Sequence, residues 1–94
     1  MKERNQLLED TKHDLASNIR KLRTAHGVSQ EKLAEQAGLH RTYLSRVERE
    51  TANITLENLV NLAALLDVLP HDLLKPGSAR ERMATAKGAG DAAA

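Results

Sequence analysis

The stretch QEKLAEQAGLHRTYLSRVER, residues 30–49, decides the fold of this chain. Its first half has apolar residues at helical spacing, with Leu33 and Ala37 on one face. Its second half repeats the pattern with Leu44 and Val47 turned inward. The sequence therefore predicts two short amphipathic helices in close succession.

The residues around these two helices predict a sharp turn between them. Ser29 is a good N-cap for the first helix. Gly38 suits a left-handed residue at its end, because glycine lacks the Cβ that makes positive φ costly. The small side chain of Ala34 lets the second helix cross closely over the first. This arrangement is typical of a helix-turn-helix, whose second helix, the recognition helix, lies in the DNA major groove.

Another helix is predicted before this pair. Apolar residues at i, i+4 and i+7, beginning at Leu15, predict a first helix over roughly residues 12–25. Thr11, three residues before Asp14, resembles a weak capping box at its start. Residues 1–11 are then an N-terminal arm or an extension of this helix.

Two further helices are predicted after the pair. Thr55 begins a fourth helix, and Pro70 suits the first turn of a short fifth helix over residues 71–74. The predicted fold is all-α, a compact five-helix bundle over residues 12–76. Residues 77–94 are rich in Ala and Gly and are expected to be disordered. The predicted buried stripe of the fourth helix contains Leu56, Leu59, Val60, Leu62, Ala63 and Leu66.

The composition argues against a metalloprotein, an enzyme and a membrane protein. The chain has 94 residues, 40% of them apolar, with no Trp or Phe, which predicts one small domain with an aliphatic core. The lack of cysteine and the scattered histidines give no metal-ligand spacing, so no metal or other cofactor is expected. No nucleophile–base pair or carboxylate dyad indicates an enzyme. A polar amino terminus and the lack of a long apolar run predict a cytoplasmic protein without a membrane contact.

Charge is distributed unevenly although the net charge is only +1. From Arg20 to Arg49, seven Lys and Arg residues oppose three acidic ones, whereas from Glu50 to Pro76 four acids oppose one lysine. One basic and one acidic-to-neutral region favour a DNA-binding module. A mixed solvated surface would also account for the charges alone.

Three spaced motifs resemble the xenobiotic-response-element family of helix-turn-helix regulators, which includes lambdoid phage repressors. The motifs are Ile19-x-x-Leu22-Arg23, Ser29-Gln30-x-x-Leu33-Ala34-x-x-x-Gly38 and Leu44-Ser45-x-Val47-Glu48. More narrowly, GLHRTYLSRVER followed by NITLENL resembles the controller proteins of restriction–modification systems, which are small dimeric regulators. Many family members have glycine where this chain has Glu50, which predicts a different exit from the recognition helix.

Four outward residues of the recognition helix are candidates for reading DNA bases. Arg41 lies in the first turn, where an arginine can donate two hydrogen bonds to a guanine. Thr42 can contact a base or a thymine methyl group, and Ser45 and Arg46 share the same outer face. The alternative for each of them is a solvated surface side chain.

Four other residues are candidates for DNA phosphate contacts. For Gln30 the resemblance implies this role, and the positive end of a helix favours an anion there. Lys32 and Arg49 are candidates by charge and proximity. The Tyr43 hydroxyl can reach the DNA backbone, or its ring can pack under the helix.

The resemblance also implies structural contacts. It pairs Arg23 with Glu48 as an ion pair that ties the first helix to the end of the third. It places a dimer interface in the loop after the third helix and in the last two helices. In this chain, that interface would contain Asn53, Leu65, Leu69 and Leu73, although the leucines could equally belong to the core.

The sequence-based hypothesis is a sequence-specific transcriptional regulator that binds a palindromic operator on double-stranded DNA as a homodimer. RNA polymerase would be its further partner at a promoter. An antitoxin of a toxin–antitoxin pair is one alternative, although the Ala-rich tail lacks apolar anchors for a toxin. A protein-interaction adaptor on the same fold is the other.

Overall fold

The computed structural model describes residues 3–76 and contains four α-helices in this part of the chain. They are α1 (Arg4–Ala25), α2 (Gln30–Ala37), α3 (Arg41–Glu48) and α4 (Leu56–Leu65), followed by a single 3-10 turn at Pro70–Leu73. No strand occurs in residues 3–76, so the all-helical prediction is confirmed. The prediction for residues 77–94 lies outside the described residues.

The amino-terminal helix is longer than its apolar pattern predicted. It begins at Arg4 rather than near Lys12, and Thr11 lies inside it, where its hydroxyl donates to the Leu7 carbonyl over 2.7 Å. The capping box predicted at Thr11 is therefore wrong. Burial begins only at Asp14, so hydrogen bonds within the helix, rather than core contacts, hold its first turns.

The last element is a 3-10 turn instead of the predicted fifth α-helix. The Asp72 carboxylate accepts the Leu69 backbone N–H over 2.9 Å and closes a single turn. This hydrogen bond lowers the pKa of Asp72, with smaller contributions from Lys75 and His71. Pro76 then disfavours helical geometry in the residue before it, so the turn does not extend.

The core is aliphatic, as the composition predicted. Its largest fully buried side chains come from every helix and from the 3-10 turn, and they are Ile19, Leu33, Leu44, Val47, Leu62, Leu66 and Leu73. Ala34 is also buried where α2 packs against α3. The buried stripe predicted for α4 is wrong at Leu56 and Val60, which are 75% and 45% exposed.

A residue in left-handed conformation follows each of the four α-helices within two positions. Gly27 and Gly38 occupy two of these positions, with φ of 70° at each. Glu50 and Asp67 occupy the other two, with φ of 66° and 61°. After α3, the Glu50 N–H donates to Val47 O and the Thr51 N–H to Arg46 O. The different exit turn predicted at Glu50 is therefore wrong, because the acidic residue takes the geometry that glycine takes elsewhere.

Replacing Glu50 with glycine is expected to raise the free energy of unfolding by about 1 kcal/mol. A left-handed conformation costs a residue with a Cβ roughly 1–2 kcal/mol, partly offset by the greater freedom of glycine in the unfolded chain. The Glu50 carboxylate also lies 3.0 Å from His13 Nδ1, but both side chains are solvent-accessible, so this contact adds little. Urea-induced unfolding measures the change.

Gly38→Ala is the matched control and should lose a similar amount. No atom lies within 4 Å of a Cβ built at Gly38, so its cost is conformational rather than steric. A Glu50→Gly variant less stable than the parent would show that the His13 contact outweighs the backbone strain.

Candidate nucleic-acid interface

The outer face of α3 is polar and accessible, while its inner face is fixed in the core. Arg41, Thr42 and Arg46 are exposed, and Ser45 is half-buried. On the opposite side Leu44 is completely buried, so the helix cannot rotate without losing core contacts. The four predicted base-reading residues therefore lie on one side of a rigidly seated helix.

His40 caps the start of α3, a role that the sequence analysis did not predict. Its Nδ1 accepts the backbone N–H of Thr42 over 3.1 Å, which requires that this nitrogen carry no proton. The bond fixes the first turn, where Arg41 and Thr42 lie. Histidine is not among the usual N-cap residues, so the residue type at this position did not predict a cap.

The end of α3 is also held in place. The Thr51 hydroxyl donates to the Arg46 carbonyl over 3.1 Å, and Arg46 Nη2 donates back to the Thr51 carbonyl over 3.4 Å. The Arg46 guanidinium thus leans towards the loop after α3. Arg49, at the C-cap, is exposed.

The amino terminus of α2 lies beside the first turn of α3. Ser29 accepts the Lys32 backbone N–H over 3.0 Å, as expected for an N-cap. A surface depression at this point is lined by Arg23, Ser29, Gln30, Glu31 and Arg41. The structure thus brings Arg41 next to Gln30, while the Lys32 ammonium lies 3.4 Å from Glu35 on the exposed side of α2.

Glu48 is the centre of a buried polar cluster behind this surface. Its side chain is 3% exposed. It accepts Arg23 Nε at 2.8 Å and Arg23 Nη2 at 3.1 Å, so the structure brings the predicted ion pair together. Gln30 Nε2 also donates to Glu48 over 3.0 Å, and Arg20 donates to the Glu48 backbone carbonyl over 2.6 Å. The cluster joins α1, α2 and α3, and the sequence analysis missed its Gln30 and Arg20 contacts.

The Tyr43 hydroxyl makes two hydrogen bonds within the protomer. The hydroxyl donates to the Asn53 carbonyl over 3.1 Å and accepts from Asn58 Nδ2 over 3.3 Å. The structure thus places this predicted phosphate contact against the loop after α3 and against α4.

The four predicted dimer residues divide into two groups. Asn53, Leu65 and Leu69 are exposed, and Leu69 is 61% accessible. Leu73 is completely buried in the core of the protomer, so it is not accessible to a partner. The exposed Leu56 and Val60 add to the apolar surface of α4.

Besides His40, two histidines contact residues that are distant in the sequence. His13 contacts Glu50, and His26 Nε2 lies 3.1 Å from the Leu66 carbonyl. In residues 3–76, no group of His, Asp and Glu side chains has the arrangement of a metal site. Over the same residues, no helix is both long enough and apolar enough to span a bilayer.

The comparisons with known proteins agree with this geometry. The helix-turn-helix family model matches residues 19–74. A hypothetical transcription factor from Neisseria superposes with a TM-score of 0.72 at 46% identity, covering 81% of this chain and 85% of its own. The restriction-modification controller protein C.AhdI from Aeromonas hydrophila gives 0.63 at 44% identity, covering 66% of this chain and 94% of the controller.

A third similar structure contains DNA. SinR, a regulator found in Bacillus subtilis, was solved in complex with DNA. It superposes with a TM-score of 0.62 at 37% identity, covering 65% of this chain and 98% of SinR.

In this small all-helical domain, a short helix with a polar outer face packs against the helix that precedes it, which is the arrangement of a helix-turn-helix protein. The chain belongs to the helix-turn-helix family of transcriptional regulators, and its relatives include controller proteins and SinR-type regulators. The sequence-based identification of the family is confirmed.

Proposed function

We propose that the protein is a controller-type regulator that binds a palindromic operator as a homodimer and thereby regulates a nearby promoter. The observation that carries this proposal is the outer face of α3. Its polar side chains are exposed, while His40 caps one end of the helix and the Glu48 cluster holds the other. A rigid polar helix loses little conformational freedom on entering the major groove.

The proposed base contacts come from Arg41, Thr42, Ser45 and Arg46. Arg41 has the longest free side chain in the first turn, and its guanidinium can pair with the two acceptors of a guanine. Arg46 is less available, since it already bonds to the Thr51 carbonyl. Specificity should therefore depend mainly on Arg41 and Thr42.

The proposed phosphate contacts come from Gln30, Lys32 and Arg49. Gln30 uses one amide hydrogen for Glu48 and keeps the second for an anion at the amino terminus of α2. Lys32 and Arg49 are exposed cations that flank the two helices. Such contacts give affinity and salt dependence without sequence preference.

The proposed homodimer is supported by the apolar surface of the last elements. Leu65 and Leu69 are exposed at the end of α4 and on the segment after it, and Asn53 is exposed in the loop before α4. A second copy that covers these side chains would bury area that is otherwise unfavourable in water. The two α3 helices would then meet successive major grooves about 34 Å apart. Occupancy of the operator would rise with protein concentration. Bound protein would then affect RNA polymerase at the promoter, and both would act in the cytoplasm.

Selection of bound fragments from random duplex DNA tests this proposal. We expect enrichment of inverted repeats whose half-site centres lie about one helical turn apart. Sedimentation of the complex should give two protomers per operator. Failure to enrich any sequence at moderate salt would instead favour the protein-interaction adaptor, and enrichment of single unpaired half-sites would contradict the homodimer.

A further inference from the structure

The Tyr43 hydroxyl lies between the recognition helix and the proposed dimer surface. Tyr43 belongs to α3, while its two hydrogen-bond partners, Asn53 and Asn58, belong to the following loop and to α4. Tyr43 is the only tyrosine in the 94-residue chain, which has no Phe and no Trp. Its position links two surfaces that the proposed function uses separately.

The hydrogen-bonding capacity of the hydroxyl decides between its possible roles. A phenol has a single proton to donate, and here that proton goes to the Asn53 carbonyl. A phosphate oxygen only accepts hydrogen bonds, so a contact between Tyr43 and DNA would have to break the bond to Asn53. Binding the loop and binding phosphate are therefore mutually exclusive for this group.

Asn58 connects the hydroxyl to one flank of α4. Asn58, Asn61 and Leu65 follow one another at i, i+3 and i+7, so they lie along the same side of the helix. Asn61 and Leu65 are exposed, and Asn58 is half-buried against Tyr43. The hydroxyl thus fixes one end of this exposed flank, while Asn53 lies in the adjoining loop.

We propose that Tyr43 is a positioning residue whose hydroxyl holds Asn53 and the Asn58 flank in the arrangement that a second copy of the chain binds. It couples the recognition helix to the dimer surface and does not contact DNA phosphate. This inference rests on the homodimer of the proposed function. The conformation of the dimer surface therefore depends on two hydrogen bonds to a side chain of α3.

Tyr43→Phe tests the inference, because it removes the hydroxyl and keeps the ring. The dimer dissociation constant, measured by sedimentation equilibrium, should rise about five- to twentyfold, as expected when a dimer loses the ordering effect of one hydroxyl in each protomer. Operator affinity expressed per dimer should stay the same. If the hydroxyl only stabilises the fold, its loss would lower the free energy of unfolding and leave the dimer constant unchanged, which would overturn the inference.

Asn58→Ala supplies a second variant that acts through the same group. The double variant should dimerise no more weakly than Tyr43→Phe alone, since both changes remove one interaction. A Tyr43→Phe protein with an unchanged dimer constant and weaker operator binding per dimer would overturn the inference in favour of a phosphate contact. A parent protein that stays monomeric would instead contradict the homodimer itself, and this coupling with it.

Discussion

Glu48→Ala is expected to lower the free energy of unfolding by about 3–5 kcal/mol, the loss typical when one partner of a buried ion pair is removed. The Glu48 carboxylate is nearly inaccessible and accepts three hydrogen bonds from Arg23 and Gln30. Without it, the Arg23 guanidinium is left half-buried with only the Val28 carbonyl as a described acceptor. Urea-induced unfolding of the purified protein measures the loss.

A double replacement separates the charge from the packing. Arg23→Met combined with Glu48→Leu removes both charges and keeps apolar volume, so it should lose less stability than Glu48→Ala alone. Glu35→Ala is the matched surface control, because Glu35 pairs with Lys32 in full contact with solvent and should change stability by at most about 0.5 kcal/mol. Equal losses for Glu48→Ala and Glu35→Ala would show that the buried cluster does not stabilise the fold.

The helices beside the site could be predicted because their signals are local. Leu33 and Ala37, the N-cap Ser29 and the left-handed Gly38 all act within one or two helical turns. Such short-range features define α2 with little dependence on the rest of the chain. The outward position of Arg41 follows from the same periodicity.

The contacts behind the site could not be predicted in this way. Gln30 and Glu48 are 18 residues apart, and Tyr43 and Asn58 are 15 apart, so their pairing depends on how complete helices pack. Apolar spacing also fails for Leu56, because apolar residues occur on protein surfaces too, and the spacing alone does not tell an exposed leucine from a buried one.

One arrangement connects these observations to function. Glu48 receives bonds from α1 and α2 at the end of the recognition helix, and His40 closes its beginning. The Glu48 and His40 contacts both involve the ends of α3 and do not use Arg41, Thr42 or Ser45 on its outer face. The side chains proposed to read bases can therefore be replaced without loss of these contacts, whereas Glu48 and its partners cannot be replaced freely.

Arg41→Ala is expected to weaken binding to the selected operator about 10- to 100-fold for each half-site, the discrimination of one bidentate arginine–guanine pair. Binding to unrelated duplexes should fall far less, so the specificity ratio collapses. Gel-shift titrations with the operator and with operators changed at single positions measure both quantities. The preference should be relaxed at one base pair per half-site and kept at the others.

Arg41→Lys distinguishes base reading from a phosphate contact. Arg41 lines the depression at the amino terminus of α2, where an anion would also be favoured, so its guanidinium has two possible targets. Lysine keeps the charge and loses the planar pair of donors, so it should pair with the guanine more weakly but bind a phosphate as well as arginine does. Arg49→Ala is the control at the other end of α3, with binding weakened about equally on all sequences and a shallower salt dependence. If Arg41→Lys binds the operator as the parent does, Arg41 contacts the DNA backbone, and Thr42 and its neighbours on α3 carry the sequence preference.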